Sequence, residues 1–87
     1  MDRRDVYKLI DGEREYQLRR HDGATAEKPH RDEDHHVADW LTYIEAHIGK
    51  CKNCIYYLDT AGAMSEMRKV AALAVAAMEY IIDTPKR

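Results

Sequence analysis

Apolar positions recur at helical spacing in three stretches of the chain. In the first, roughly Asp5 to Arg20, the stripe is Val6, Leu9, Ile10 and Tyr16. In the second, roughly His35 to Leu58, the apolar positions are Val37, Leu41, Ile44, Ile48, Cys51, Ile55 and Leu58. They alternate four and three apart, an a/d seam of the kind that packs helix against antiparallel helix. Asp34 stands where an N-cap is wanted. At 1.5 Å per residue this helix is expected to run roughly 35 Å. The third stretch, roughly Ala63 to Ile82, stops before Pro85 and is rich in alanine: Ala71, Ala72, Ala74, Ala76, Ala77. It is apolar almost all round, which asks for burial on most faces. Two companion helices cover such a helix poorly, so a second copy of the chain is expected to complete the bundle.

Between the first two helices lies a polar segment, 21–34, with the sequence HDGATAEKPHRDED; Gly23 and Pro29 mark it as a loop. A shorter break, DTAG at Asp59–Gly62, reads as a turn. The expectation is an all-α fold: one domain over residues 1–87, three helices in a bundle, completed by dimerisation.

Some residues break the pattern. On a wheel at 100° per residue, Glu13 and Gln17 fall in the middle of the first helix's apolar face. They are neighbours, four apart, and a carboxylate and an amide facing a core cost several kcal/mol unless paired. Either they reach the rim or they line a polar cavity. On the second helix Trp40, His47 and Cys54 stack at seven-residue intervals beside the seam, with His36, Tyr43 and Lys50 next to them. An aromatic and cationic flank suits ring stacking and phosphate contact, and equally suits a helix–helix interface. The third helix opens with Glu66, Arg68 and Lys69; Glu66 and Lys69 share a face, as a surface ion pair would. Cys51 and Cys54 form CKNC, and His47 adds a third potential zinc ligand on neighbouring faces. A structural zinc site wants four ligands, and Cys51 already belongs to the apolar seam, so no metal is assigned.

Composition narrows the classes. With 14 Lys and Arg against 16 Asp and Glu, the net charge is −2 over 87 residues, which speaks against binding polymeric nucleic acid. Apolar residues make up 45%, enough for a thin core, and a core this thin favours association. No apolar run approaches the roughly 20 residues of a membrane span. The start, MDRRDVYKLID, lacks the apolar stretch of a signal peptide. Two cysteines without such a signal read as reduced thiols, so a cytoplasmic protein is expected. There is no glycine-rich phosphate loop, no GxSxG and no HExxH.

Three blocks carry a resemblance. Glu13-Arg14-Glu15-Tyr16-Gln17 is similar to an ERxxQ opening. Asp39-Trp40-Leu41-Thr42-Tyr43-Ile44, followed by Ile48-Gly49, is similar to an EWLxxL…EExGE segment. Glu66-Met67-Arg68-Lys69-Val70-Ala71-Ala72-Leu73-Ala74, ending in Met78-Glu79, resembles an alanine-rich ExxDVAAVA…E helix. In this order they resemble the MazG-like all-α nucleoside triphosphate pyrophosphohydrolases, especially the small phage-type members. In that family a carboxylate cluster, EExxE on the second helix and ExxD on the third, holds Mg²⁺ against a triphosphate so that water can attack. Here Ala46, His47 and Lys50 align with the three glutamates; Glu66 keeps the fourth carboxylate and Lys69 replaces the aspartate. His21 stands where the family often has tryptophan. Two lysines in a Mg²⁺ site change the balance: at an effective dielectric near 20 and 4 Å, each unit of like charge costs about 4 kcal/mol.

The resemblance therefore implies a catalytically degenerate relative that binds a phosphorylated nucleotide, or a nucleotide-derived signal, without hydrolysis. It has no catalytic residue, resident metal or cofactor. Its expected ligand-binding set is Glu13, Gln17, Trp40, Tyr43, His47, Lys50, Glu66 and Lys69, with the lysines on phosphate and the amide and aromatic groups on base or ribose. Its partners are a nucleotide-type small molecule and a second copy, with no membrane. Two other readings stand beside it. One is an active Mg²⁺-dependent pyrophosphohydrolase using Glu45 and Glu66 with Asp39 or Glu79. The other is a helical structural or regulatory interaction protein.

Overall fold

The computed structural model describes residues 1–20 and 35–86. It is all-α: α1 spans Arg3–Arg20, α2 Val37–Tyr56 and α3 Thr60–Tyr80. The three helices form a bundle in which α3 is central. It packs against α2 along much of its length and against α1 more briefly, while α1 and α2 have at most marginal contact. No helix among the described residues is long and apolar enough to cross a membrane.

Small side chains make the central position possible. Ala63, Ala72 and Ala76 are buried along α3, which lets the neighbouring backbones approach closely. Where α2 and α3 lie closest, the Cys51 thiol donates to the Ala63 carbonyl at 3.3 Å. Among the described residues, the buried apolar side chains besides these alanines are Trp40 and Cys51, and no large side chain is fully buried.

The helix ends differ from the sequence expectation for identifiable reasons. α1 begins at Arg3 rather than Asp5, because the Asp2 carboxylate accepts the Asp5 N–H at 2.9 Å. The N-cap of α2 is His36, not Asp34, which lies outside the described residues. The Asp39 carboxylate reaches back to accept the His36 N–H at 2.8 Å, the half of a capping box that places a carboxylate in the first turn. α2 closes at Tyr56 rather than Leu58. There the Leu58 N–H donates to the Ile55 carbonyl at 3.0 Å and the Asp59 N–H to Cys54 at 2.8 Å. This is a Schellman closure, and it puts Leu58 at φ 58°, where glycine is the usual occupant. Asp59, expected in a turn, caps α3: its carboxylate accepts the Gly62 N–H at 2.8 Å, so α3 starts at Thr60 rather than Ala63. α3 ends at Tyr80, two residues short of Ile82.

The covered faces are a larger correction. The α2 seam was expected to face the bundle. Of its members, Cys51 is buried and Ile44 half-buried, but Val37, Leu41, Ile48, Ile55 and Leu58 are exposed. The face turned toward α3 is Trp40, Ile44, His47, Cys51 and Cys54. Spacing fixes a stripe's existence; contacts fix which stripe is used. Here Trp40 and His47 engage α3 through a ring stack and an ion pair, and these set the rotation of α2 about its axis. Similarly, Val6, Leu9 and Tyr16 of α1 are exposed, whereas Ile10, Glu13, Gln17 and Leu18 are half-buried and Arg14 is buried. α3 is flanked on two sides within one chain, and exposed apolar side chains remain on all three helices, among them Leu9 and Tyr16 on α1, Leu41 and Ile55 on α2, and Met64 and Met78 on α3.

Candidate functional site

Two groups of polar and aromatic side chains stand out. The first sits where the N-terminal turns of α2 meet the C-terminal turns of α3. Trp40, 4% exposed, lies parallel to Tyr80, with an interplanar angle of 4° and ring centroids 6.2 Å apart. His35 meets Trp40 edge-on at 5.1 Å and Tyr43 at 5.4 Å, and Tyr43 meets Trp40 edge-on at 6.1 Å. From α1, the Arg14 guanidinium lies 5.8 Å from the Tyr80 ring centre. Its Nε and Nη2 donate to the two carboxylate oxygens of Glu79, each at 3.2 Å. That fork ties α1 to α3, and the Trp40–Tyr80 stack ties α2 to α3 at the same end of the bundle.

Among the described residues, one polar atom of Trp40 and one of Gln17 are buried without a hydrogen-bond partner. The indole Nε1 of Trp40 has no acceptor and the amide Oε1 of Gln17 has no donor. Gln17 lies one turn along α1 from Arg14, on the same face. Each orphaned group costs on the order of 1–3 kcal/mol. An unfilled donor and an unfilled acceptor beside aromatic rings are what a planar ligand with its own donor and acceptor would complete.

The second group lies further along α2, near the start of α3. Nδ1 of His47 is 2.6 Å from Glu66 Oε2, and Lys69 Nζ is 3.4 Å from Glu66 Oε1. Burial on its own raises the Glu66 pKa, but the hydrogen bond from His47 and the charges of Lys69 and His47 outweigh it. The carboxyl is held below its ordinary value. Cys54, on the same face of α2, is shifted upward by burial and by the negative groups of Asp59 and Glu66, so it remains a thiol.

The expected ligand set thus divides. Trp40 and Tyr43 come together at the aromatic end, and Glu13 and Gln17 are half-buried on the face of α1 that carries Arg14. His47, Glu66 and Lys69 form the second group. Lys50 is exposed and makes no hydrogen bond or ion pair among the described residues, so it does not join them. Arg14, Glu79, Tyr80 and His35 complete the aromatic end; none belongs to the ligand set expected from sequence, and Glu79 entered only as a possible metal ligand of the hydrolase reading. Glu79 carried a signal: it is the one charged residue in the apolar run Val70–Tyr80. The zinc trio is otherwise engaged in two of its members, His47 by Glu66 and Cys51 by the Ala63 carbonyl.

The donor set does not fit a Mg²⁺ centre. Glu66 is flanked by His47 and Lys69, Glu79 is bound by Arg14, Asp39 caps its own helix and Glu45 is exposed. Among the described residues no three His, Cys, Asp or Glu side chains are grouped to hold a metal ion. No protein-family model, curated protein or solved structure matches the chain. The resemblance to MazG-like enzymes therefore rests on the three sequence blocks.

Proposed function

We propose that this chain is a catalytically degenerate, MazG-like protein that binds a phosphorylated nucleotide, or a nucleotide-derived signal, and does not hydrolyse it. The observation that carries the reading is the orphaned pair at the aromatic end, the Trp40 N–H and the Gln17 carbonyl. A nucleobase edge offers both an acceptor and a donor, and its plane suits the Trp40, Tyr43 and Tyr80 rings. Phosphates would extend toward His47 and Lys69. His47 is seven residues from Trp40, roughly 10 Å along α2, about the reach of a nucleotide from base to phosphate. The absence of hydrolysis follows from engagement: the carboxylate on which a divalent ion would depend, Glu66, is already held by the His47 ring and the Lys69 ammonium. The reading places the protein in the cytoplasm, where nucleotides and reduced thiols such as Cys51 and Cys54 coexist.

Calorimetry of the full chain against nucleoside mono- and triphosphates and cyclic dinucleotides, with and without Mg²⁺, tests this. Saturable binding that does not need Mg²⁺, with quenching of the chain's single tryptophan, is expected. No heat with any of them removes the proposal. Release of pyrophosphate that is lost in Glu66→Ala replaces it with a hydrolase.

A further inference from the structure

We propose that Glu66 filters ligands by charge: the site takes a nucleotide whose phosphate is a singly charged diester, as in a cyclic nucleotide, and turns away nucleoside triphosphates. The inference rests on the nucleotide reading above and names the class of nucleotide within it.

The two groups assigned to phosphate are already engaged. His47 Nδ1 and Lys69 Nζ lie 2.6 and 3.4 Å from different oxygens of one carboxylate, so both oxygens of Glu66 are taken. The Glu66 side chain is only 14% exposed, against 25% for His47 and 34% for Lys69. A phosphate that reaches the two donors therefore also comes close to a half-buried carboxylate that water screens poorly. The charges of Glu66 and Lys69 cancel. That leaves the group neutral with an uncharged His47 ring and singly positive with a protonated one.

The surrounding cations do little to enlarge that balance. Arg68, two residues on from Glu66, is turned roughly 160° from it on the helix wheel. Arg14 is held by Glu79 at the aromatic end. Lys50, one turn beyond His47 on α2, is exposed and pairs with none of the described residues, and it adds at most one charge. The anions lean the other way. Burial first, then the negative groups of Asp59 and Glu66, hold the Cys54 thiol up, and the cation opposing them there is Lys69 alone.

Ligand charge then decides which nucleotide fits. A terminal phosphate carries about −1.5 to −2 at pH 7, and a triphosphate chain carries more. A phosphodiester keeps a single charge, which one ammonium can match. A divalent ion would neutralise a triphosphate, but Glu66, with both oxygens taken, offers that ion no ligand. Each uncompensated phosphate charge beside the carboxylate should therefore weaken binding by about tenfold or more.

The test is calorimetry on the full chain in EDTA, comparing the cyclic monophosphate, the monophosphate and the triphosphate of each common nucleoside. The cyclic monophosphate is expected to bind at least about tenfold tighter than the triphosphate of the same base, with the monophosphate between them. Glu66→Gln keeps the shape and removes the charge, and is expected to shrink that ratio about tenfold. Lys69→Gln leaves the carboxylate uncompensated and is expected to widen it. The wild-type series decides the question even where a variant does not fold. A triphosphate that binds as tightly as the diester overturns the filter and leaves the nucleotide reading standing. A ratio unmoved in a folded Glu66→Gln overturns the assignment to Glu66. Absence of binding by every compound removes the nucleotide reading, and the filter with it.

Discussion

His47 and Glu66 meet at 2.6 Å across the α2–α3 contact, and Lys69 completes the arrangement from one turn further along α3. Held between the His47 ring and the Lys69 ammonium, the Glu66 carboxylate ties α2 to α3, a stabilising role that a metal ligand could not fill at the same time.

The linkage follows from the sign of the shift. Glu66 is held below its ordinary value of 4.5, so its folded form favours the carboxylate. Stability from this group is present above that ordinary value and is lost as pH falls through the folded value. Denaturant midpoints are expected to be insensitive to Glu66 from neutral pH down to about 5 and to drop below 4.5. Glu66→Gln should cost about 1 kcal/mol at pH 7, a modest figure because His47 and Lys69 are partly exposed. It should also flatten the acid limb. An acid limb unchanged in Glu66→Gln would show that other carboxylates control it.

Arg14 makes a paired bond that lysine cannot reproduce. Its guanidinium donates through two nitrogens to Glu79 and lies over the Tyr80 ring, while its side chain is 5% exposed. Lysine keeps the charge but offers one compact ammonium, so the fork and the flat contact are both lost. Arg14→Lys should lower stability by about 1–2 kcal/mol, read as a lower urea midpoint with an unchanged slope. An unaltered midpoint would mean that the charge alone matters.

How much of this was legible beforehand depends on the kind of interaction. The three helices follow from spacing, because a 3.6-residue period is local. Which face of α2 is covered does not, because Val37–Leu58 and Trp40–Cys54 both form seven-residue ladders. Only the Trp40–Tyr80 stack and the His47–Glu66 pair, between residues far apart in sequence, choose between them. The polar intrusion of Gln17 was visible on the wheel. The partnership of Arg14 with Glu79, 65 residues away, was not. Lys50 and Lys69 look equivalent in the aligned blocks, yet Lys69 reaches Glu66 from its own helix while Lys50 is exposed and pairs with none of the described residues.

At Gly62 helix propensity and capping pull in opposite directions. Alanine is worth about 0.8–1.0 kcal/mol over glycine inside a helix. Here a Cβ would fall 2.2 Å from Asp59 Oδ2 and 3.0 Å from Cys54 Sγ. The carboxylate can escape only by giving up its bond to the Gly62 N–H, which removes a cap worth about 1 kcal/mol, and Cys54 crowds the same space. Gly62→Ala should therefore leave the protein about 1 kcal/mol less stable in thermal unfolding. A clear gain would show that the cap moves at no cost.

The orphaned carbonyl of Gln17 separates stability from binding. A buried acceptor without a donor is a standing cost in the ligand-free chain, and a leucine of similar length removes it while adding apolar contact. Gln17→Leu should raise the stability of the free protein by about 1 kcal/mol. The same change deletes the acceptor that a base would use, so nucleotide affinity should fall by at least about tenfold, the equivalent of one lost hydrogen bond in a desolvated site. Thermal unfolding with and without nucleotide reads both effects in one experiment: the free variant melts higher, and the ligand-induced rise shrinks. A variant that is less stable when free would show that Gln17 is structural, held by its neighbours. One that is more stable and binds as before would move the ligand away from the aromatic end.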